Sequence, residues 1–355
     1  MPTMDIFNDD AFSVVSLTEA INDISFKPGR LGQMGIFAEK RISTTTAMIE
    51  RQGELLRIVG PTPRGGPGNT LPKQGRSLIP LRVPHYEIED AVNADEVQNV
   101  RAFGTESEME TVLSRVTERQ SLHVDSFALT EEHARMGAIK GEILYEKASD
   151  GVLYEGPLNL YTAMGMTRPA DITWNFASTA ADGAHLAGST AVIRAIGTTL
   201  GGIAMGRIHA FVGDEFYDAL IGSKEVRETY KGTSQAEWLR GQKVTHGLDG
   251  ASWGVFEYGG IIWENYRGGE VMSAAGEVVS FIGPREARFF PVGVPGLFQS
   301  IYAPADYIET VNTVARRLYT KSWPSANGKR QELESQMNAL QICTRPNALR
   351  RAVMA

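Results

Sequence analysis

The sequence has almost no cysteine and no long apolar run, and each absence excludes a class of protein. Cys343 is the one cysteine among 355 residues, so no disulfide can form within the chain and a reducing cytosol is the expected place of folding. Arg345 lies nearby, but we expect Cys343 to be a buried structural thiol. No stretch approaches the roughly 20 apolar residues of a membrane span. The acidic N-terminus also lacks the pattern of a signal peptide.

Positive charge is scarce as well. Lys and Arg total 35 against 42 Asp and Glu, which gives a formal net charge of −7 and a pI near 5.5. A dedicated nucleic-acid-binding domain is usually basic, so the composition argues against one, although it allows a wall that merely faces nucleic acid. Glycine is abundant instead. Its 37 residues indicate many turns and bulges rather than a helical bundle.

Catalytic and ligand-binding motifs are missing. The six histidines form no HExxH pair, and no group of three or four converging zinc ligands is predicted. The glycine-rich residues 65–70 lack the GKS or GKT ending of a phosphate loop, and no GxSxG elbow is present. The paired carboxylates Glu131 and Glu132 fall on a predicted helix surface, where we expect ordinary solvated charges. We therefore predict no catalytic, cofactor-binding or metal-binding residues.

The most informative region is a predicted two-stranded hairpin. Residues 42–59 alternate loosely between apolar and polar, and the alternation in residues 76–83 predicts a return strand. The proline-rich and glycine-rich stretch between them cannot lie inside a sheet, because proline removes ladder donors. An isolated hairpin is marginal in water. The pattern therefore predicts a reaching element that another chain covers.

Charge changes sign sharply along this region. Residues 51–82 hold six basic residues and one acidic residue, whereas residues 87–110 hold eight acidic residues and one basic residue. The two runs could be solvated faces, or complementary patches that meet between copies of the protein. We favour the second interpretation, because the basic run lies on an element with little core of its own. The candidate inter-subunit contact residues are Arg51, Arg57, Arg64, Lys73, Arg76, Arg82, Glu87, Glu89, Asp90, Asp95 and Glu96.

A long helix and an α/β lobe are predicted next. Thr105 and Glu108 form a capping box, and the apolar spacing that follows predicts a spine-like helix to about Lys140. A hairpin around residues 149–151 and a linker over residues 159–173 precede the lobe. In the lobe we predict helices over residues 187–200 and from residue 214, and strands over residues 208–212, 255–263 and 278–282. Residues 287–320 return to β character, and residues 307–319 are ambiguous between strand and helix. The tail over residues 340–355 begins with a short apolar stretch and could add a final strand to the lobe.

Several segments together resemble one family. They are residues 63–68 (PRGGPG), 83–85 (VPH), 94–98 (ADEVQ), 100–104 (VRAFG), 108–112 (EMETV) and 133–141 (HARMGAIKG). In these segments the chain resembles the lambda-type major capsid protein E family of tailed bacteriophages. The resemblance is strong over residues 64–161, more diffuse to residue 355 and weak before residue 41.

The resemblance implies an α+β protein with the HK97-like tailed-phage capsid fold. The implied parts are an N-terminal arm (1–41), an extended loop with an acidic bend (42–104), a spine helix with part of a peripheral domain (105–173), an axial domain (174–283), a peripheral-domain return (284–330) and a C-terminal strand and tail (331–355).

The resemblance also implies a function, that of a major capsid protein assembling into an icosahedral shell around double-stranded DNA and expanding on maturation. Hexamers and pentamers of the chain, a separate scaffolding protein, a portal protein and a decoration protein would be its partners. The virion capsid, assembled in the host bacterial cytoplasm, would be its location. Two alternatives stay open: an encapsulin-like nanocompartment subunit, and a hydrolase or transferase using the α/β lobe, which no motif supports.

Overall fold

The computed structural model describes residues 14–24, 29–52, 76–97, 112–143, 158–177, 182–201, 203–230, 245–246, 252–266, 271–272 and 278–355. The α-helices in these residues are α1 (Val14–Asp23), α2 (Arg30–Gln33), α3 (Ala94–Val97), α4 (Val112–Lys140), α5 (Leu160–Ala163), α6 (Ala184–Leu200), α7 (Asp214–Gly222) and α8 (Lys224–Tyr230). Short 3-10 helices cover Ile308–Thr310 and Pro346–Ala348.

The strands in the described residues are numbered in chain order. They are β1 (Phe37–Arg41), β2 (Thr46–Gln52), β3 (Arg76–Arg82), β4 (His85–Asn93), β5 (Glu142–Ile143), β6 (Leu158–Asn159), β7 (Ile172–Trp174), β8 (Ile208–Val212), β9 (Thr245–His246), β10 (Ser252–Trp253), β11 (Val255–Tyr258), β12 (Ile261–Asn265), β13 (Val271–Met272), β14 (Val278–Val279), β15 (Glu286–Pro291), β16 (Phe298–Tyr302), β17 (Tyr319–Pro324), β18 (Arg330–Cys343) and β19 (Arg350–Met354).

The chain divides into two compact units, each built from three segments. Unit 1 consists of Met1–Ala47, Arg82–Ala134 and Gln299–Gln341. Unit 2 consists of Met48–Leu81, Arg135–Phe298 and Ile342–Ala355. The predicted domain boundaries divide the chain more finely than this, and they remain a prediction.

Unit 1 is a sheet with helices on one face. Strands β1, β16, β18 and β17 pair in that order, and β4 also pairs with β18. Helix α4 contributes Val124 and Phe127 to a core that includes Ile21 of α1 and Met337 of β18. At 29 residues α4 is about 44 Å long, so the predicted spine helix is confirmed over residues 112–140. Its predicted capping box lies outside the described residues.

The N-terminal segment packs against another part of the same chain. Helix α1, predicted over residues 17–24, packs against β17. The Asn22 amide donates to the carbonyl oxygen of Leu318 at 2.9 Å, and the Thr18 hydroxyl donates to that of Thr320 at 3.3 Å. Because the apolar stripe of α1 covers the core of unit 1, residues 14–24 belong to that unit's fold.

Unit 2 contains the predicted α/β lobe. Its six-stranded sheet has the order β11-β12-β8-β15-β19-β7, with β8 parallel to β12 and antiparallel to β15. All five residues of β8 are buried, as expected for a central strand covered on both faces. The core is aromatic and centres on Trp174, Phe216, Trp263 and Phe289. The predicted elements α6, β8 and α7 are therefore confirmed.

Helix α6 begins at an unusual cap. Its N-cap residue, Gly183, has no side chain to accept the first helical N–H groups. Glu225 of α8 accepts instead, from the backbone N–H groups of His185 at 3.0 Å and Leu186 at 2.9 Å, and from the Tyr258 hydroxyl at 2.6 Å. A carboxylate at this position also interacts favourably with the positive end of the helix dipole.

Two predicted elements are wrong in detail, and the structure assigns a third that the sequence left ambiguous. The linker over residues 159–173 contains α5, because the Asn159 side chain accepts from the N–H groups of Tyr161 and Thr162 and caps a helix. Residues 255–263 form two strands, β11 and β12, because Gly259 and Gly260 both take positive φ and close a tight turn. The ambiguous residues 307–319 contain a 3-10 helix and loop, and β17 begins at Tyr319.

The tail over residues 340–355 adds a final strand to the lobe sheet, as predicted. Residues 340–343 end β18, which pairs with β16, β17 and β4 rather than with the lobe sheet. Pro346 then opens a 3-10 turn, and it is β19 that joins the lobe sheet between β15 and β7. Cys343, at the end of β18, is fully buried, as predicted. Burial raises the pKa of its thiol to about 12.

Candidate inter-subunit contact surface

Strands β2 and β3 pair as a two-stranded sheet, which confirms the predicted hairpin. Side chains alternate between two faces along each strand. Ile49 and Leu81 are buried, whereas Met48 is 56% exposed and Leu78 is 65% exposed. Arg82, at the end of β3, is exposed as well. The hairpin therefore presents an outer face that is both apolar and basic.

The structure locates only part of the predicted basic run. Arg51 lies on β2, and Arg76 and Arg82 lie at the two ends of β3. Arg57, Arg64 and Lys73 lie outside the described residues. The predicted contacts of these six residues with another copy stay a prediction.

Strand β4 separates the predicted acidic run into two sets. Glu87 and Glu89 are exposed, and both point to the side of the sheet opposite to α4. Asp90 points to the α4 side, where its carboxylate lies 3.3 Å from Arg119 Nη1 and 3.4 Å from His123 Nε2. Glu96, on α3, lies 3.1 Å from Arg119 Nη2. Asp95 also lies on α3.

Strand β18 extends the exposed acidic set. Its Glu334 lies directly opposite Glu89 of β4, and its Gln336 lies opposite Glu87. Directly opposed residues in an antiparallel pair share a face, and Glu332, two residues before Glu334, shares it too. Asp306 joins from the loop after β16, where it accepts from Gln336 Nε2 at 2.7 Å. We define the acidic face as Glu87, Glu89, Asp306, Glu332 and Glu334.

Sequence reasoning missed three members of the acidic face. Asp306, Glu332 and Glu334 lie more than 200 residues after β4, and no local pattern links them to it. The missing signal is the register of β18 against β4, which fixes which carboxylates share a face. Only a correct pairing of these two distant strands could have supplied it.

Electrostatics on the acidic face favour positive partners. Burial alone would lower the pKa of His85, but hydrogen bonds to Asn338 and Glu87 and the charge of Asp306 raise it above its ordinary value. Burial raises the pKa of Glu87, and the charges of Glu334 and Asp306 add to the rise against the opposing effect of His85. Negative charges nearby contribute to both shifts, and Asp306 is among them in each case.

The prediction that Glu131 and Glu132 are solvated is wrong. Glu131 is 1% exposed and Glu132 is 4% exposed. Glu131 forms an ion pair with Arg317 and accepts from the Tyr302 hydroxyl at 2.6 Å. Other elements pack against α4 on more than one side, so adjacent positions such as Glu131 and Glu132 are buried although the apolar pattern assigns them to the helix surface.

Glu132 holds the arm. Its carboxylate accepts from the backbone N–H of Leu31 at 2.6 Å and from that of Gly32 at 3.2 Å, in the first turn of α2. Gly29 lies against it, and a Cβ atom there would be 2.3 Å from the Glu132 carboxyl carbon. Glu132 is therefore a structural anchor of residues 29–33.

No group of three or more of the described His, Cys, Asp or Glu side chains is arranged to hold a metal ion. None of the described helices is long and apolar enough to cross a membrane.

Comparisons with known proteins identify the class. The family model for phage major capsid protein E matches residues 13–354. The major capsid protein of Pseudomonas phage KPP10 is 27% identical over 340 residues, covering 94% of this chain and 95% of that protein. The major capsid protein of Salmonella phage Felix O1 is 24% identical, with 95% of each covered. A solved prophage protein from E. coli CFT073 is 12% identical, with a TM-score of 0.61 and coverage of 97% and 99%.

The α+β fold is that of tailed-phage shell subunits. The chain belongs to the phage major capsid protein E family, and its function is that of a major capsid protein. The family resemblance drawn from the sequence is thereby confirmed. The family match favours this function over the encapsulin-like compartment, and the family is one of structural proteins.

Proposed function

We propose that copies of this chain assemble as hexamers and pentamers into an icosahedral shell that encloses double-stranded DNA without sequence preference. The shell expands when DNA enters, so some contacts exchange between two packings. A separate scaffolding protein, a portal protein and a decoration protein act with it, and assembly takes place in the bacterial cytoplasm. The chain works by assembly and not by catalysis. Its net charge of −7 agrees with a wall that does not neutralise the DNA.

The hairpin of β2 and β3 is the observation that carries this proposal. Two strands without a third are marginal in water, and β2 and β3 pair only with each other among the described strands. Their outer face exposes Met48 and Leu78, two large apolar side chains on one small element. Clustered exposed apolar side chains mark interaction surfaces. A neighbouring copy in the shell supplies the cover that the hairpin lacks.

Substitution of Leu78 tests the role of the hairpin. Leu78→Asp places a charge on the face that a neighbour would cover, whereas Leu78→Met preserves apolar character and size. We expect Leu78→Asp to abolish closed particles on a sucrose gradient and in electron micrographs, and Leu78→Met to retain them. Circular dichroism of the unassembled chains serves as the folding control. Normal particle yield from a folded Leu78→Asp chain would contradict the proposal.

A further inference from the structure

We propose that helix α1 blocks a strand edge that otherwise pairs with a second copy of the chain. The edge belongs to β17, and the strand that it accepts is β17 of the second copy, running antiparallel. By blocking this pairing, α1 keeps unassembled chains separate and available for the shell. The inference goes beyond the proposed function, because it concerns the chain before any shell has formed.

Strand β17 lies at one side of the unit 1 sheet. Among the described strands it pairs only with β18, so its other side has no strand partner there. The backbone N–H and C=O groups of such an edge are a template for pairing with another chain. In an antiparallel strand every second residue directs these groups away from the first partner. Thr320 is such a residue, because both of its backbone groups bind α1 instead of β18.

Two side chains of α1, Thr18 and Asn22, bind the outward groups of this edge, and we call them the edge cover. The Thr18 hydroxyl accepts from the Thr320 N–H and donates to the Thr320 carbonyl oxygen, both at 3.3 Å. The Asn22 amide donates to the Leu318 carbonyl oxygen at 2.9 Å. A residue in an added strand would make the same pair of hydrogen bonds to Thr320 that Thr18 makes. The edge cover therefore occupies positions that a further strand would take.

The spacing of the edge cover explains how a helix can take the place of a strand. Thr18 and Asn22 are four residues apart, which is about 6 Å along a helix. The outward groups of a strand recur every second residue, which is about 6.8 Å along it. One turn of α1 therefore matches one repeat of the β17 edge. Val14, four residues before Thr18, has no hydrogen-bonding side chain, so the edge cover ends with Thr18.

Core packing holds α1 against the edge. Leu17 and Ile21 lie on either side of Thr18 in the helix sequence, and both are almost fully buried. The Gln120 amide of α4 also donates to the Leu17 carbonyl oxygen at 3.4 Å. Thr320 is fully buried beneath this contact. Its N–H group therefore reaches solvent only when α1 moves away, which makes Thr320 a reporter of the closed edge.

The sequence of β17 favours a second copy as the partner and sets the register. In a two-fold antiparallel pair centred on Ser322, Lys321 of each copy lies opposite Trp323 of the second copy. Trp323 is 38% exposed, and an ammonium group over an indole face is a favourable cation–π pair. A pair centred on Lys321 places two ammonium groups opposite each other, which is destabilising. The register is therefore centred on Ser322.

Amide hydrogen exchange at Thr320 in unassembled chains tests the edge cover. Thr18→Val keeps the shape of the side chain and loses the hydroxyl, whereas Thr18→Ser keeps the hydroxyl and is the matched control. We expect exchange of the Thr320 amide to accelerate about tenfold in Thr18→Val, the factor that corresponds to one lost hydrogen bond. Exchange in Thr18→Ser should change little. Equal exchange at Thr320 in the native chain and in Thr18→Val would overturn the role of Thr18.

Disulfide trapping tests the partner and the register. Cys343 is the one native cysteine and is buried, so an added surface cysteine reports on its own contacts. Ser322→Cys is introduced into the native chain and into a chain that also carries Thr18→Val and Asn22→Leu. Under mild oxidation we expect linked dimers when the edge cover is removed, and few when it is intact. Lys321→Cys in the same background should not link, because its two Cα atoms lie beyond the roughly 7 Å that a disulfide spans.

The outcomes decide each part of the inference. Chains without the edge cover that are folded by circular dichroism, monomeric in sedimentation velocity and unlinked through Ser322→Cys would overturn the pairing with a second copy. Linkage through Lys321→Cys and not through Ser322→Cys would overturn the register. If removal of both side chains prevents folding, Thr18→Val with Ser322→Cys takes the place of that chain, since it changes one side chain of the edge cover.

Discussion

Glu132 is predicted to fasten the N-terminal arm to the spine helix, and Glu132→Gln tests this. In the native chain the carboxylate accepts from the N–H groups of Leu31 and Gly32, in a site where it is almost fully buried. Glutamine has nearly the same shape but only one acceptor oxygen, and its NH₂ group would face a second N–H. The variant therefore removes one charge-assisted hydrogen bond and places its NH₂ group against a backbone N–H group, so that two donors face each other.

The structure sets the size of the effect. A hydrogen bond to a charged group contributes about 1.5–3 kcal/mol, and one such bond is lost outright. We therefore expect the free energy that holds residues 29–33 against α4 to fall by about 2 kcal/mol. Since about 1.4 kcal/mol is a factor of ten, opening of this segment becomes about 30-fold more frequent.

Amide hydrogen exchange of Leu31 and Gly32 measures that opening directly. We expect their exchange to accelerate roughly 30-fold in Glu132→Gln, while amides in the centre of α4 change little. Glu118→Gln is the matched control, because Glu118 lies on the same helix in an exposed pair with Arg115. Unchanged exchange at Leu31 and Gly32 would refute the anchoring role of Glu132.

Three further predictions concern stability. Gly141 ends α4 at φ +79°, and a Cβ atom there would be 2.5 Å from the Tyr161 ring. Gly141→Ala should therefore lower the free energy of unfolding in urea by about 2–4 kcal/mol. Gly165 has φ +61° and open space around it, so Gly165→Ala should cost only about 1 kcal/mol, and equal costs would contradict the packing argument. Burial alone would raise the pKa of Glu225, but hydrogen bonds from the Tyr258 hydroxyl and the α6 N–H groups hold it below its ordinary 4.5. Glu225→Gln should therefore lower the free energy of unfolding by about 1–2 kcal/mol at pH 7. This difference between variant and native chain should shrink as the pH falls below 4.5 through the lowered pKa, and a difference that stays constant with pH would be evidence against it. Arg119→Ala should lower the free energy of unfolding by about 1 kcal/mol while shells still form, because both carboxylate partners of Arg119 lie within its own chain. Loss of shells with unchanged stability would contradict this assignment.

Local patterns predicted the elements whose signal is contained in their own residues. The alternation in β3 and the apolar spacing of α4 each arise from one face of one element, and both elements are present. The Asn159 cap of α5 and the Gly259–Gly260 turn were equally local signals. Both signals lie within a few neighbouring residues, so a local pattern is enough to predict them.

Long-range packing determined what the sequence could not show. Glu131 and Glu132 look like surface charges because their partners, Tyr302 and Leu31, come from opposite ends of the chain. The acidic face likewise depends on the register between β4 and β18. A one-residue slip in that register would turn Glu334 to the opposite side. Such facts follow from tertiary pairing and not from propensity.

Electron cryomicroscopy of assembled particles tests the central claim most directly. The chain is expressed with its phage partners, and the map is examined at the hairpin of β2 and β3. The account predicts closed shells in which each hairpin contacts a neighbouring copy and Leu78 is covered by that copy. Shells in which the hairpin contacts only its own copy, or no shells at all, would contradict it.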